Sequence, residues 1–305
     1  MIPAAFDYAA PATVREAVAL LRGRAGDARA LAGGQSLIPM MRMRLVNPAL
    51  VVDLGRVRDL AYVREHDLGG LGGHVRSADP PAVRGGLAIG AMTTYRTLET
   101  SSLVRERFPL LAEAVARIAD LQVRNRGTIG GALAHADPSA DLPALMVAAE
   151  ARIATAGGRR ARSIAASRFF VDAFTTALGE TEIITEVRLP ALPARTGGAY
   201  EKLANRASHF AIVGVAALVT LDATGACSRV RIGVIGAGPA AGRARRAERY
   251  LTGRAPTPAA LEAAAARAGH GIDFTDDLHG SAAYREHLTR RLTFRTLSAA
   301  VERAG

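Results

Sequence analysis

The feature that most constrains this chain is a pair of glycine doublets set far apart in it. Gly33-Gly34 lies in LAGGQSL and Gly130-Gly131 in RGTIGGALAHADPSADL. The first follows a short apolar segment, ARALA (28–32), that reads as a strand. It is followed by Gln35, Ser36 and the helical IPMMRMRL. The second follows Thr128 directly. Glycine admits φ > 0 and lacks the Cβ that would hold another group off. Backbone N–H groups around such turns can converge on an anion. Ser36 and Thr128 add a hydroxyl beside each doublet. A lone doublet is commonly only a tight turn. Two of them with matching hydroxyls point to two loops closing on one long anionic ligand.

The rest of the chain sets limits on that ligand and its setting. With 305 residues, 49% of them hydrophobic, there is material for one large core or a few modest ones. No apolar run is long enough to span a bilayer. The N-terminus shows no basic segment followed by an apolar one, so no signal peptide is read and a cytoplasmic location is expected. The single cysteine, Cys227, excludes an internal disulfide and an iron–sulfur cluster held by this chain alone. No zinc-type spacing of His and Cys occurs, so no metal site is expected. The net charge of +11 comes from arginines spread along the chain, with Lys202 the only lysine. Few aromatics, no tryptophan and no recognition motif argue against a nucleic-acid partner.

Read in order, TVREAVALLR (13–22) predicts a helix with Thr13 and Glu16 as a capping box. LVVDL (50–54) predicts a buried strand, which completes a small α/β unit. AYVREH (61–66) is expected as a strand, and the Gly/Pro-rich 67–85 as an exposed loop. GLAIGAMTTY (86–95) reads as strand then turn, Thr97 as a helix cap, and 108–121 as one helix. SRFFVDAFTTAL (167–178) reads as helical and EIITEVRLP (182–190) as a strand. The proline-rich 189–198 is the best linker. Beyond it, 199–205, 212–222 and 228–237 predict an antiparallel sheet, followed by helices over 243–252, 258–269 and 280–304.

Several residues leave alternatives open. Asp137 and Asp141 could be an acid–base pair, metal ligands, turn and cap residues, or acceptors for cofactor hydroxyls. GAGPAA (236–241) matches a dinucleotide fingerprint, but no second strand follows its helix, so a turn after an antiparallel strand is the default. Arg124 and Arg126 could meet a phosphate or a partner protein, or simply be solvated. His135 could be a base or a backbone-bonded histidine. Cys227 reads as an incidental thiol.

AGGQSLIPMMRMRLVNP and QVRNRGTIGGALAHADPSADLPAL resemble the two FAD-binding signatures of the flavoprotein (medium) subunit of molybdenum hydroxylases, the group of aerobic carbon monoxide dehydrogenase and xanthine dehydrogenase. The likeness extends through F-D-Y-x-x-P, IGAMTT, EIITEV, AYEKLANRASHFAIVG and SAAYREHL, nearly the whole chain. It implies an α+β protein: an FAD-binding domain of the vanillyl-alcohol-oxidase type over 1–180, in subdomains of about 1–55 and 56–180, and a C-terminal domain over 181–305 with a small antiparallel sheet and helices. It implies that Ala32, Gly33, Gly34, Gln35, Ser36 and Leu37 wrap the pyrophosphate, that Thr128, Gly130, Gly131 and Ala132 approach from a second side, that Asp141 binds cofactor hydroxyls, and that Ile184 and Lys202 lie near the flavin. It implies no catalytic side chain, and partners in a molybdenum-cofactor large subunit and a 2Fe-2S small subunit, assembled as a dimer of heterotrimers. Gln35 and Phe210 stand where carbon monoxide dehydrogenases tend to carry His and Tyr, and the Gln35 form looks more like N-heterocycle or aromatic hydroxylases. The competing readings are a stand-alone flavin oxidase of the same fold, a nicotinamide-binding enzyme using 236–241, and a non-catalytic basic module.

Overall fold

A computed structural model describes residues 2–66 and 85–305, so the loop expected over 67–85 lies, but for Gly85, outside the described residues. The chain begins with strand β1 (Asp7–Ala9), helix α1 (Val14–Gly23), β2 (Ala28–Leu31), α2 (Leu37–Arg42) and β3 (Leu50–Asp53). These strands form a parallel sheet in the order β1-β3-β2, as helical crossovers between consecutive strands require. Val51 and Val52 of the central strand are fully buried. The Thr13 hydroxyl accepts the Glu16 N–H, while Glu16 reaches back to the N–H of Ala12, one residue earlier than a capping box predicts.

The second unit holds β4 (Val63–His66), β5 (Gly86–Gly90) and six helices: α3 (Tyr95–Thr100), α4 (Ser102–Arg107), α5 (Pro109–Ala116), α6 (Leu121–Arg126), α7 (Ile129–His135) and α8 (Asp141–Ala148). Then follow β6 (Arg152–Ala156), β7 (Arg162–Ala165), β8 (Phe170–Asp172), β9 (Thr175–Thr176) and β10 (Ile183–Leu189). The helix expected over 108–121 is two. α5 ends at Ala116, Ala119 takes φ 43°, and the Asp120 carboxylate caps α6 through the Val123 N–H at 2.8 Å. The cap of α3 is Thr94, not Thr97, because the Thr94 hydroxyl accepts the Thr97 N–H. The segment 167–178, expected as helical, is a short 3₁₀ turn and the β8–β9 hairpin; its aromatic and β-branched residues suit strands.

The main sheet of this unit runs β4-β5-β10-β6-β7, antiparallel throughout. β10 is its central strand, so a division at 180/181 would cut the sheet in two. We place the boundary instead in the proline-containing 190–195, just after β10.

The C-terminal part is an antiparallel sheet of β11 (Thr196–Ala204), β12 (Ala211–Leu221), β13 (Cys227–Ile235) and β14 (Gly242–Arg243), followed by α9 (Arg245–Leu251), α10 (Pro258–Ala265) and α11 (Ala282–Ala304). β12 is buried on both faces. Val213, Val215, Ala217 and Val219 join the core under α9–α11, while Ala216 and Leu218 join the core that contains α5 and α8. The fold is α+β. Residues 236–241 form the turn between antiparallel β13 and β14, with the Gly236 N–H donated to the Pro138 carbonyl, so no dinucleotide-binding unit exists there.

Ion pairs reinforce the contact between the two parts. Glu150, just past α8, pairs with Arg229, Arg231 and Arg243, and Arg243 also pairs with the buried Glu248. Burial would raise the Glu150 carboxyl, but the guanidinium groups of Arg229 and Arg231 outweigh it and hold it at about 2. A carboxyl depressed on folding contributes stability that is complete above its unfolded value of about 4.3 and is lost as pH falls through the folded value. Thermal unfolding of Glu150→Gln is therefore expected at lower temperature than the parent at pH 7, with the difference closing as pH falls from about 4.3 towards 2. A difference unchanged across that window would disprove the assignment.

Candidate functional site

The two glycine doublets meet. A Cβ placed on Gly33 would lie 2.1 Å from the Arg126 carbonyl oxygen, which closes the α6–α7 junction onto the loop after β2. A Cβ on Gly131 would lie 3.3 Å from that of Ala32, a second link between the same segments. A Cβ on Gly130 would lie 2.6 Å from that of Ala91, in the turn after β5. Only Gly34, at φ 77°, uses the left-handed freedom of glycine; the other three are needed for close approach.

Their hydrogen bonding divides the two turns by role. In the second, Ile129 N–H is donated to Thr93 O, Gly130 N–H to Ala91 O at 2.8 Å, Gly131 N–H to the Thr128 hydroxyl at 3.1 Å, and Ala132 N–H to Thr128 O. All four donors are consumed within the protein, so Gly130-Gly131 is not an open nest for an anion, contrary to the symmetric reading of the sequence. In the first turn, no backbone N–H from Gly33 to Leu37 is donated to an acceptor among the described residues. The Ser36 hydroxyl, at the start of α2, makes no capping bond. Partly exposed Ala32, Gly33, Gly34, Ser36 and Leu37 and exposed Gln35 thus present a run of free donors. Thr128 and Gly130 are buried behind them, while Gly131 and Ala132 keep some exposure.

A second polar centre lies at the start of α8. Asp141 is the first residue of that helix, and Ala140 occupies the cap position. The carboxylate is buried; its Oδ1 accepts from the Tyr200 hydroxyl at 2.5 Å and pairs with Lys202 Nζ at 2.7 Å. Lys202 Nζ also donates to the His209 carbonyl at 2.8 Å. Tyr200 and Lys202 project from the same face of β11, two residues apart, onto α8. Burial pushes the Asp141 carboxyl up, against the pull of Lys202. Burial and the Asp141 charge push the Tyr200 phenol well up, so it stays a donor. Tyr95 is raised by burial and, less, by Asp141.

The remaining candidates fall into place around these two centres. Ile184 is buried on β10, and its neighbour Thr185 accepts the Ala91 N–H at 3.0 Å, which ties this strand to the turn under Gly130. Asp137 is a turn residue whose carboxylate accepts the Ser139 N–H at 2.8 Å. His135 is half-buried, lies with its ring 5.2 Å from that of Phe174 at a tilt of 48°, and is pushed down by burial. Arg124 is structural, bonded to Glu99 and to the carbonyls of Ile118 and Ala119, whereas Arg126 is exposed. Cys227 is buried, and burial pushes its thiol up to about 11, the state of an inert thiol. Among the described residues no cluster of His, Cys, Asp and Glu could hold a metal ion, and no helix is long and apolar enough to cross a membrane. Sequence reasoning missed Tyr200 and the supporting role of Ala91–Thr94. Strand alternation in AYEKLAN would have put Tyr200 on the side of Lys202.

The model for the FAD binding domain in molybdopterin dehydrogenase matches residues 4–192, and that for the CO dehydrogenase flavoprotein C-terminal domain matches 198–300. The chain is 39% identical over 304 residues to the alpha subunit of the 6-hydroxypseudooxynicotine dehydrogenase complex of Paenarthrobacter nicotinovorans, covering 100% of this chain and 97% of the relative. Its structure is similar to that of a carbon monoxide dehydrogenase from Hydrogenophaga pseudoflava, with TM-score 0.92, 41% identity and full coverage of both chains. It is also similar to quinoline 2-oxidoreductase from Pseudomonas putida 86, with TM-score 0.88, 33% identity, and 100% and 99% coverage.

The Asp141–Lys202 pair yields a stability test. Lys202→Met leaves a buried carboxylate without its cation, which is expected to cost about 3–5 kcal/mol in denaturant unfolding. The double variant Asp141→Asn/Lys202→Met is expected to recover most of that loss. A double variant whose loss equals the sum of the losses of Lys202→Met and Asp141→Asn measured singly would show that the pair is not coupled.

Proposed function

We propose that this chain, which belongs to the family of FAD-binding medium subunits of molybdenum hydroxylases, works as the FAD-carrying electron-transfer subunit of a multi-subunit dehydrogenase. Its partners are a large subunit with the molybdenum cofactor and a small 2Fe-2S subunit, in a dimer of heterotrimers. The single observation that carries the reading is the row of free N–H donors over Gly33–Leu37, held against the second glycine doublet.

The residues present fit FAD. Its pyrophosphate needs several hydrogen-bond donors at close range, and the first turn offers backbone N–H groups and the Ser36 hydroxyl with no bulky side chain at Gly33 or Gly34. Ala32 and Leu37 bound this row. Gln35 stands exposed beside it. Gly131 and Ala132, which keep some exposure, would face the cofactor from the second side, while the buried Thr128 and Gly130 would act by fixing those two in place. Asp141, fixed by Tyr200 and Lys202 through Oδ1, would accept a cofactor hydroxyl. Lys202 favours the ionised form of Asp141 against the effect of burial; as the sole lysine, it is a compact donor that arginine would not replace. Ile184 supplies apolar surface from β10.

When bound, FAD supplies the redox chemistry, exchanging electrons singly with one partner and in pairs with another. The protein's own task is to bind, orient and shield the cofactor, and no side chain acts as nucleophile or general base. The lone, buried Cys227 accords with clusters carried on a different chain.

Gly33→Val drives a side chain into the Arg126 carbonyl and opens the cradle. Its flavin content per chain, read by visible absorption, is expected to fall about tenfold or more while the C-terminal unit stays folded. Full flavin retention would contradict the assignment. Purification of the native complex tests the partners. Molybdenum and iron–sulfur subunits should accompany the chain, whereas oxidation of a small substrate by the isolated chain would favour a stand-alone oxidase.

A further inference from the structure

The C-terminal unit holds a second basic centre, on the cleft between α9 and the segment that ends α10. Arg246 and Arg249 stand one turn apart on α9, and Arg267 and His270 are spaced likewise after α10. Together with Tyr250 and Ala266 they line an open cavity of about 570 Å³. Among the described residues none of Arg246, Arg249 and Arg267 pairs with a carboxylate, in a chain where many arginines do. The one carboxylate of α9, Glu248, is turned inward to Arg243 and the Ile232 N–H. The last turn of a helix favours one cation, which accounts for Arg249 but not for four basic groups around one cleft.

The site is also pre-organised. The Arg267 guanidinium lies 4.2 Å from the Tyr250 ring centroid, and that of Arg254 lies 4.7 Å from the same centroid. Arg267 is further fixed by donating to the Ala263 carbonyl. A guanidinium held in one orientation without a counter-charge is an arrangement for bidentate recognition of phosphate oxygens. The cavity volume lies in the range of small-molecule pockets.

We propose that the α9–α10 cleft binds a small polyphosphate anion of the class of pyrophosphate and nucleoside diphosphates. Arg246 and Arg249 on one wall and Arg267 on the other grip the phosphates. The cleft shares no residue with the flavin cradle, so its occupation does not depend on the flavin assignment.

Isothermal titration of the full-length, flavin-loaded protein with inorganic pyrophosphate and with ADP, at low ionic strength, tests this. Both anions are expected to bind at one per chain and more weakly as salt is added. Arg246→Ala/Arg249→Ala removes two exposed side chains and is expected to weaken each anion about tenfold or more, with flavin absorption and melting temperature unchanged. Arg267→Lys, which keeps the charge but loses the planar fork, is expected to weaken binding less. Failure of both anions to bind, or binding by the double variant equal to that of the parent, would overturn the proposal.

Discussion

The close contact between the Ala32–Gly33 backbone and the α6–α7 junction is the constraint on which the candidate flavin site depends. It joins the loop that ends β2 of the parallel sheet to the helix that begins inside the antiparallel unit. Any side chain at Gly33 would separate the two. The second doublet spends its own N–H groups on the Ala91 carbonyl and the Thr128 hydroxyl, the preceding Ile129 N–H goes to Thr93, and the turn becomes a rigid platform. The first turn, pressed on that platform, keeps its N–H groups unspent. Free donors in a flexible loop would lose much of their binding energy to ordering; here the ordering is done by the fold.

The Asp141–Lys202–Tyr200 group performs the corresponding task between the flavin-binding and C-terminal parts. A buried ion pair is seldom a net gain in stability, because both charges lose their hydration. Its value lies in geometry. α8 follows the helix that holds the second doublet and is buried between α5 and α7 of its own unit and the sheet of the C-terminal unit. Fixing Asp141 to β11 sets the position of α8, and Lys202 carries the bond onward to the His209 carbonyl in the loop before β12. Glu150 and its three arginines brace the other end of α8.

Much of this was legible in the residues. The strands over 212–222 and 228–237 and the helix over 13–22 follow from their apolar patterns. The turn role of Asp137 followed from its proline neighbour, and the dismissal of 236–241 from the missing second strand. Capping details were less legible. Thr94 and Thr97 are chemically alike, and only the turn geometry after β5 decides between them. The split of 108–121 at Ala119 was hidden because the apolar pattern reads through it, although Asp120 is a favoured capping residue. The unequal roles of the doublets were not legible at all. Whether a glycine N–H is spent or free depends on where Ala91 and Thr93 come to rest, and their place is set by β5 and β10, far off in sequence.

Hydrogen–deuterium exchange of the backbone amides, with and without FAD, tests the central claim most directly. Amides of 33–37 should exchange rapidly in the free protein and become strongly protected when FAD is bound. Those of 129–132, already bonded within the protein, should be slow in both states and change little. Protection that arises at 129–132 while 33–37 stay unchanged would contradict the account.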